Sequence, residues 1–419
     1  MIRMNSTEKR ALDALDVDSM AGYLCELISK PSHGGRETRA QESIAAEMRR
    51  VGLEVETWPI DFDALKSHPS FSMPIEREEG LGILGTHGRG GCRSLMFNGH
   101  IDVVGAGDEF KWRHPPWKGT IDGGRVWGRG ASDMKGGTVS ALYALKAVID
   151  SDAPLKGKVL FESVIGEEDG SVGTLDACMR GIRADAAIVP EPSELVAVPA
   201  HAGAMSFRVT IQGRAAHAAI RNEGVSAIDK FLPIYDALKR LEDERTARIR
   251  DPLYKIYPIP SPLNVGKIVG GEWPGIVPER LYFEARVGVH TDETTDQVRR
   301  QVEAAVAKAA KADPWLSEHL PVVDWSGGYR FDAAKIPSDH PIMETVKRAY
   351  RDVAGSLPRV EGRTYSSDMR FLVNLLGIPT MIFGPGDIRE AHAADESISI
   401  ADMETAARTM TLAILRWCG

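Results

Sequence analysis

Apolar residues recur at helical spacing from Asp18 to Val51 and the run is broken at Pro31-Ser-His-Gly-Gly35, which predicts two helices ahead of the first strand. Strand character follows at Leu53 to Trp58, Gly82 to Thr86 and Ser94 to Phe97, the last two separated by the turn-forming Gly88-Arg-Gly-Gly91. That glycine run lacks the Lys-Ser/Thr of a phosphate loop and reads as a turn. A helix is expected to begin near Ser132-Asp133, with Val139, Leu142, Leu145 and Ile149 at its apolar positions. A strand Val159 to Ile165, a short helix and a strand Ala187 to Val189 come next. Strands alternating with helices predict an α/β layered domain with a mainly parallel sheet.

After His201 the rhythm changes. The pattern gives a strand (Met205 to Ile211), a helix (Val225 to Leu241), two strands (Leu263 to Val269 and Leu281 to Val289), a helix (Thr294 to Ala312) and a strand (Leu320 to Asp324). This βαββαβ order is the split-βαβ, ferredoxin-like unit and predicts a separate α+β domain at residues 203–320. The α/β pattern then resumes with a helix near His340 to Val353, a helix from Asp368 ending at Gly377 and a strand Thr380 to Phe383. The expected catalytic domain is therefore discontinuous, residues 1–202 and 321–419, with the smaller domain inserted.

With 419 residues the chain has room for two or three folding units. Its 43% hydrophobic and 26% charged content excludes a disordered or fibrous class. A formal net charge of −8 without a basic block gives no electrostatic reason to hold nucleic acid. Cys25, Cys92, Cys178 and Cys418 are scattered without a C-x-x-C pair, which fits reduced thiols in a cytoplasm. The charged start and the lack of about 18 uninterrupted apolar residues predict a cytoplasmic protein with no membrane partner.

Chemistry-bearing residues stand where strands end, the place where open α/β sheets form their ligand crevice. In Asn98-Gly-His-Ile-Asp-Val-Val104, His100 suits a metal ligand with its ring oriented by Asp102. In Gly128-Arg-Gly-Ala-Ser-Asp-Met-Lys-Gly-Gly137, Asp133 serves equally as a ligand or as a helix N-cap. Gly166-Glu167-Glu168-Asp169-Gly170 sends three acids out of a buried strand, which asks for a cation or a raised pKa unless the loop is simply solvated. Prolines on either side of Glu191 aim one carboxylate, and His392 follows the last strand in Ala391-His-Ala-Ala-Asp-Glu396. Jointly, two histidines and several carboxylates suit a pair of divalent ions.

These residues resemble the M20 family of dinuclear metallohydrolases, which includes acetylornithine deacetylase, succinyl-diaminopimelate desuccinylase, aminoacylase-1 and glutamate carboxypeptidase. The resemblance runs from about Met20 to the end and rests on G-H-x-D-V-V, G-R-G-x-x-D-M-K-G-G, G-E-E and E-P-S/T in combination. It implies a zinc-peptidase-like catalytic domain with an inserted lid or dimerisation domain. It implies that His100, Asp133 and Glu191 hold one metal, and Asp133, Glu168 and His392 the other, with Asp133 bridging. Asp102 then matches the support of the histidine ligand and Glu167 the general base toward a metal-activated water. His217, in Gly213-Arg-Ala-Ala-His217, with Asn264 and Arg286 matches substrate-binding groups of the lid. Two divalent ions, Zn2+ or else Mn2+ or Co2+, and a homodimer through the lid are implied.

The expected reaction is deacylation of an N-acyl amino acid. A metallo-dipeptidase or carboxypeptidase, or hydrolysis of an aromatic or formylated C–N substrate, is the alternative, and the intact Glu167 and ligand set argue against a non-catalytic binding protein. The family resemblance extends to Ser366-Ser-Asp-Met-Arg370, although Tyr365-Ser-Ser-Asp368 replaces the Gly-Thr or Gly-Ser that precedes this aspartate in many relatives. Residues 60–77 either shape the pocket or cover the sheet, with surface packing the favoured reading, and Trp112-Arg-His-Pro-Pro-Trp117 either contacts substrate or, as favoured, is a proline-fixed loop.

Overall fold

A computed structural model describes residues 4–419, which divide into two units. The first takes the described residues through Ala200, Lys335–Glu361 and Ser367–Gly419; the second takes His201–Ala334 and Gly362–Ser366.

In the first unit six strands form one sheet in the order Glu54–Pro59, Leu81–His87, Val159–Val164, Leu95–His100, Ala186–Val189 and Thr380–Ile382. The first two pairings are antiparallel and the remaining three parallel. Every residue of Leu95–His100 and of Val159–Val164 is buried, so both faces of the central sheet are covered, as a parallel arrangement with crossover helices requires. His100 is the last residue of its strand rather than a loop residue beyond it, because the ladder to Val159–Val164 continues as far as the His100–Val164 pair. Helices Gly136–Asp150 and Ile400–Cys418 pack on each other, and the latter also packs on Pro341–Ala354.

The helices at Val17–Ile28 and Thr38–Arg50 match the periodic apolar pattern. Ser6–Asp13 and Ile400–Cys418 go beyond the elements read from that pattern. The helix expected from Ser132 begins later. Ala131–Lys135 is an irregular turn in which Asp133 has φ −119° and ψ 101°, and the regular helix starts at Gly136. Asp133 is therefore not the N-cap of that helix, and its carboxylate is left free for other work.

The second unit carries strands Leu263–Gly270, Arg280–Val289, Gly203–Gln212 and Val322–Asp324 side by side, all antiparallel. Helices Ala227–Arg248 and Thr295–Lys311 complete the βαββαβ order. Phe207, Val209 and Ile211 of the central strand meet Phe231, Ile234 and Leu238 of one helix and Val298 and Val302 of the other in a single apolar core. Buried and more exposed residues alternate from Met205 to Gln212, as expected of a sheet with one covered face. Among the described residues no helix is long and apolar enough to cross a membrane.

Two glycines let the site's backbone segments meet. A Cβ on Gly137 would lie 1.8 Å from the carbonyl oxygen of Pro190, and one on Gly136 would lie 2.3 Å from that of Ala131. The start of this helix thus presses directly on the loop that carries Glu191. Gly137→Ala is expected to cost about 1 to 3 kcal/mol by overpacking and to lower the melting temperature by about 2 to 5 °C. A variant melting with the parent in differential scanning calorimetry would contradict this close contact.

Candidate metal centre

Five backbone segments bring the polar cluster together. His100 ends a central strand, Glu167 and Glu168 leave the end of Val159–Val164 in a short turn, Glu191 follows Ala186–Val189, and His392 lies beyond Thr380–Ile382. Asp133 comes from the irregular turn before the helix Gly136–Asp150. These are ends of neighbouring strands in one sheet, so residues nearly 300 positions apart in sequence share one crevice.

Asp133 stands between two histidines. Its Oδ1 lies 3.2 Å from His100 Nε2, and its Oδ2 lies 3.6 Å from His392 Nε2. His100 Nε2 is also 3.8 Å from Glu191 Oε1, while His392 Nε2 is 2.9 Å from Glu168 Oε2. Two groups of potential ligand atoms result, His100 with Asp133 and Glu191, and Asp133 with Glu168 and His392, each with its atoms within 4.8 Å of one another. The aspartate belongs to both.

The electrostatics of this cluster fit cations. Burial pushes Glu191 well above the usual carboxylate range, and nearby Asp133, Asp368 and Glu168 add to the rise while His100 opposes it. Burial likewise raises Glu168 to about 7, with Asp133 adding and His392 opposing. Glu167 is also pushed well up by burial and by Glu191, Asp368 and Glu168 against the pull of His100. Burial tends to lower His100, but its hydrogen bond to Asp133 and the surrounding carboxylates outweigh that and hold it well above an ordinary histidine. The hydrogen bond to Glu168 lifts His392 to about 9. Without cations, then, this cluster retains protons to limit its own repulsion, and Asp102 Oδ1 is buried with no hydrogen-bond partner. Imidazole nitrogens and carboxylate oxygens form the donor set, and divalent ions would supply the charge it lacks.

An outer layer fixes the inner one. His100 Nδ1 lies 2.9 Å from the main-chain oxygen of Asp102, with that residue's carboxylate 3.7 Å away. The Asp102 carboxylate instead accepts from the Glu168 amide at 3.0 Å, so it holds the Glu167–Glu168 turn as well as flanking the ring. Glu396 is the residue that sequence reasoning missed. Its carboxylate accepts from the amides of Gly130, Ser132 and Asp133 and pairs with buried Arg129 at 2.6 Å. It therefore shapes the turn that presents Asp133. The only sequence hint was an acid four residues after His392; its arginine partner stands 267 positions away. His392 itself adopts a left-handed φ of 62°, uncommon outside glycine.

The three remaining site residues lie in the second unit. Asn264 and Arg286 face each other directly in the antiparallel register of their strands, and so share one side of the sheet. His217 is exposed in the turn before the segment Ala218–Glu223, where its Nδ1 accepts from the Ala219 amide.

Comparison with known proteins places the architecture. The model of peptidase family M20/M25/M40 matches residues 96–416. Over 406 residues the chain is 29% identical to the N-formyl-4-amino-5-aminomethyl-2-methylpyrimidine deformylase of Halalkalibacterium halodurans, covering 93% of this chain and 91% of that protein. The structure of the di-peptidase Dug1p from Saccharomyces cerevisiae superposes with a TM-score of 0.76 at 15% identity, covering 99% of each chain. That of the Bacillus subtilis YXEP protein, a dinuclear metal-binding peptidase of the M20 family, gives a TM-score of 0.60 at 14% identity over 96% of this chain and 99% of the other.

If Glu168 and His392 ligate, each would first have to release its proton, so divalent-metal affinity is expected to rise with pH through the interval from about 7 to about 9. The sign follows from competition: protons occupy the ligand atoms at low pH and leave as the pH increases. Competition titration of Zn2+ against a chromophoric chelator checks this, and an affinity independent of pH would contradict it.

Proposed function

The chain belongs to peptidase family M20/M25/M40, a family of hydrolases, and from that premise we propose that it removes a short acyl group, formyl foremost, from the nitrogen of a small amine. The observation that carries the reading is Asp133, whose two oxygens face two different histidines with Glu167 beside the ligand-bearing Glu168. The deformylase likeness over 93% of the chain supports the formyl group, and N-acyl amino acids are the neighbouring substrate class.

His100, Asp133 and Glu191 hold one ion in this reading, and Asp133, Glu168 and His392 the other. The ions are Zn2+, with Mn2+ and Co2+ as substitutes, since the donor set is imidazole and carboxylate without thiolate. When bound, such a pair polarises a carbonyl and lowers the pKa of a shared water toward neutrality. Glu167 takes the proton from the attacking water and passes it to the leaving nitrogen, work that suits a carboxylate whose pKa burial has raised. Asp102 keeps His100 and the Glu168 amide in place while this happens. Substrate binding is assigned to His217, Asn264 and Arg286: the imidazole offers a donor to a developing oxyanion, the guanidinium a planar fork for a carboxylate, and the asparagine lies beside that fork.

A homodimer through the second unit accompanies this reading. Ile228, Leu232 and Tyr235 form an exposed apolar row on the helix Ala227–Arg248, and the edge strand Leu263–Gly270 exposes Ile268 and Val269. A cytoplasmic setting is supported by four cysteines that all remain free.

Glu167→Ala is expected to retain two equivalents of metal while kcat falls about 100- to 10,000-fold. The assay is a panel of N-formyl amines, including formylaminopyrimidines, with N-acetyl and N-succinyl amino acids and dipeptides. Near-normal turnover in the variant would remove Glu167 from its role, and turnover of dipeptides alone would replace deacylation by peptide hydrolysis. Light scattering is expected to give a dimer, and a 45.7 kDa particle at working concentration would reject it.

A further inference from the structure

The turn that presents Glu167 and Glu168 is hinged by glycine at both ends, Gly166 at φ 74° and Gly170 at φ 154°. Such a turn has little reason of its own to hold one conformation. What lies against it is a segment from much earlier in the chain. Arg77 directs Nη1 and Nη2 at the two oxygens of Asp169, each at 2.9 Å, and Nη2 also reaches Glu37 Oε1 at 2.9 Å. Its Nη1 donates in addition to the carbonyl of Ile75, and the Ile75 amide donates to Asp169. The side chains of Arg77 and Glu37 are each only 1% exposed and that of Asp169 is 8% exposed, so this triad is withdrawn from water.

Steric contacts repeat the message. A Cβ on Gly166 would come 3.2 Å from Arg77 Nη2, and one on Gly170 would come 2.1 Å from the carbonyl oxygen of Ser72. Residues 72–77 therefore bear on both hinges of the turn. The third acid of Gly166-Glu167-Glu168-Asp169-Gly170 is neither a ligand nor a solvated loop residue; it is the handle by which this strap grips the turn. Residues 60–77 thus do more than cover the sheet.

We propose that Arg77 is a positioning residue: through Asp169 it fixes the turn bearing Glu167 and Glu168, so that it governs the second metal group and turnover while leaving the first metal group untouched. The proposal rests on the assignment of Glu168 as a ligand and Glu167 as the base. His100 and Glu191 extend from strand ends, and the close charged partners of His100 are Asp102, Asp133 and Glu191 rather than residues of the strap, which is why the effect falls on one group. A guanidinium forked onto one carboxylate and shared with another is geometry that an ammonium does not reproduce.

The test uses the full-length protein stripped of metal and titrated with Co2+, followed by d–d absorption and calorimetry, and the reconstituted enzyme assayed on its best substrate from the panel above. Arg77→Met and Asp169→Ala are each expected to bind the first equivalent as the parent does and the second about 10- to 100-fold more weakly. In both, kcat falls while KM stays within about twofold. The double variant should be no worse than either single one, because the two residues act as one unit. Asp169→Ala leaves Arg77 paired with Glu37 and guards against misfolding. Arg77→Met with Glu37→Gln removes the buried carboxylate that the first variant strands.

If Asp169→Ala, or either Arg77 variant, binds two equivalents as tightly as the parent and turns over at the parental kcat, the positioning role is overturned. Equal weakening of both equivalents, or losses that add in the double variant, overturns it as well. A parent protein that binds fewer than two equivalents fails the metal assignment itself, an outcome distinct from any of these.

Discussion

Asp133, Glu167, Glu168 and Glu191 converge on two imidazoles where strands end, and their mutual repulsion in a poorly solvated crevice is the constraint to which the rest of the first unit responds. Charges that close repel far more strongly away from water than in it. Asp133 stays ionised despite its burial because His100, His392 and Arg129 surround it. Glu168 and Glu191 are driven upward instead, because burial and the neighbouring carboxylates outweigh the pull of His392 and His100. A pair of divalent ions would relieve this arrangement, which without them is a costly way to build a sheet edge.

Because the cluster opposes its own assembly, the backbone that carries it is held from outside, and the holders are again carboxylates. Asp102 accepts from the amide of Glu168, Glu396 from three amides of the Asp133 turn, and Asp169 binds the Arg77 guanidinium. Acids of the inner layer face the crevice, whereas those of the outer layer pin backbone or pair with buried arginines. Arg129 and Arg77 play matching parts: each neutralises a buried acid that in turn shapes a glycine-bounded turn. Glycine permits these turns and the outer acids restrict them, so neither alone would give a defined site.

The two units were recognisable from different signals. Alternation of apolar and polar residues along 205–211 and 281–287 follows directly from a sheet with one buried face, and the structure repeats it residue by residue in the second unit. In the first unit the central strands are apolar throughout, which locates them but conceals their ends. His100 accordingly fell outside the expected strand although the ladder includes it. The helix start was displaced for a related reason: Asp133 after Ser132 has the composition of a cap, but Glu396 holds the amides of this turn and its extended backbone brings the Asp133 carboxylate to two imidazoles. Helix Ile400–Cys418 has Ser399 as its cap and no glycine or proline to mark its end before the terminal residue, leaving little local punctuation.

Residue identity and local spacing determined which side chains carry the chemistry, since a carboxylate or an imidazole is a donor wherever it is placed, and glycines and prolines around Asp133, Glu168 and Glu191 already announced turns built for exposure of a polar group. Tertiary structure decided the division of labour among those acids. Whether Asp169 or Glu396 faces a metal group or an arginine depends on partners 92 and 267 positions away, Arg77 and Arg129, which no local pattern can supply. The physical reason is that a ligand set is a matter of distances across the ends of neighbouring strands, and strand order is fixed by how the whole sheet buries its apolar faces rather than by any one segment.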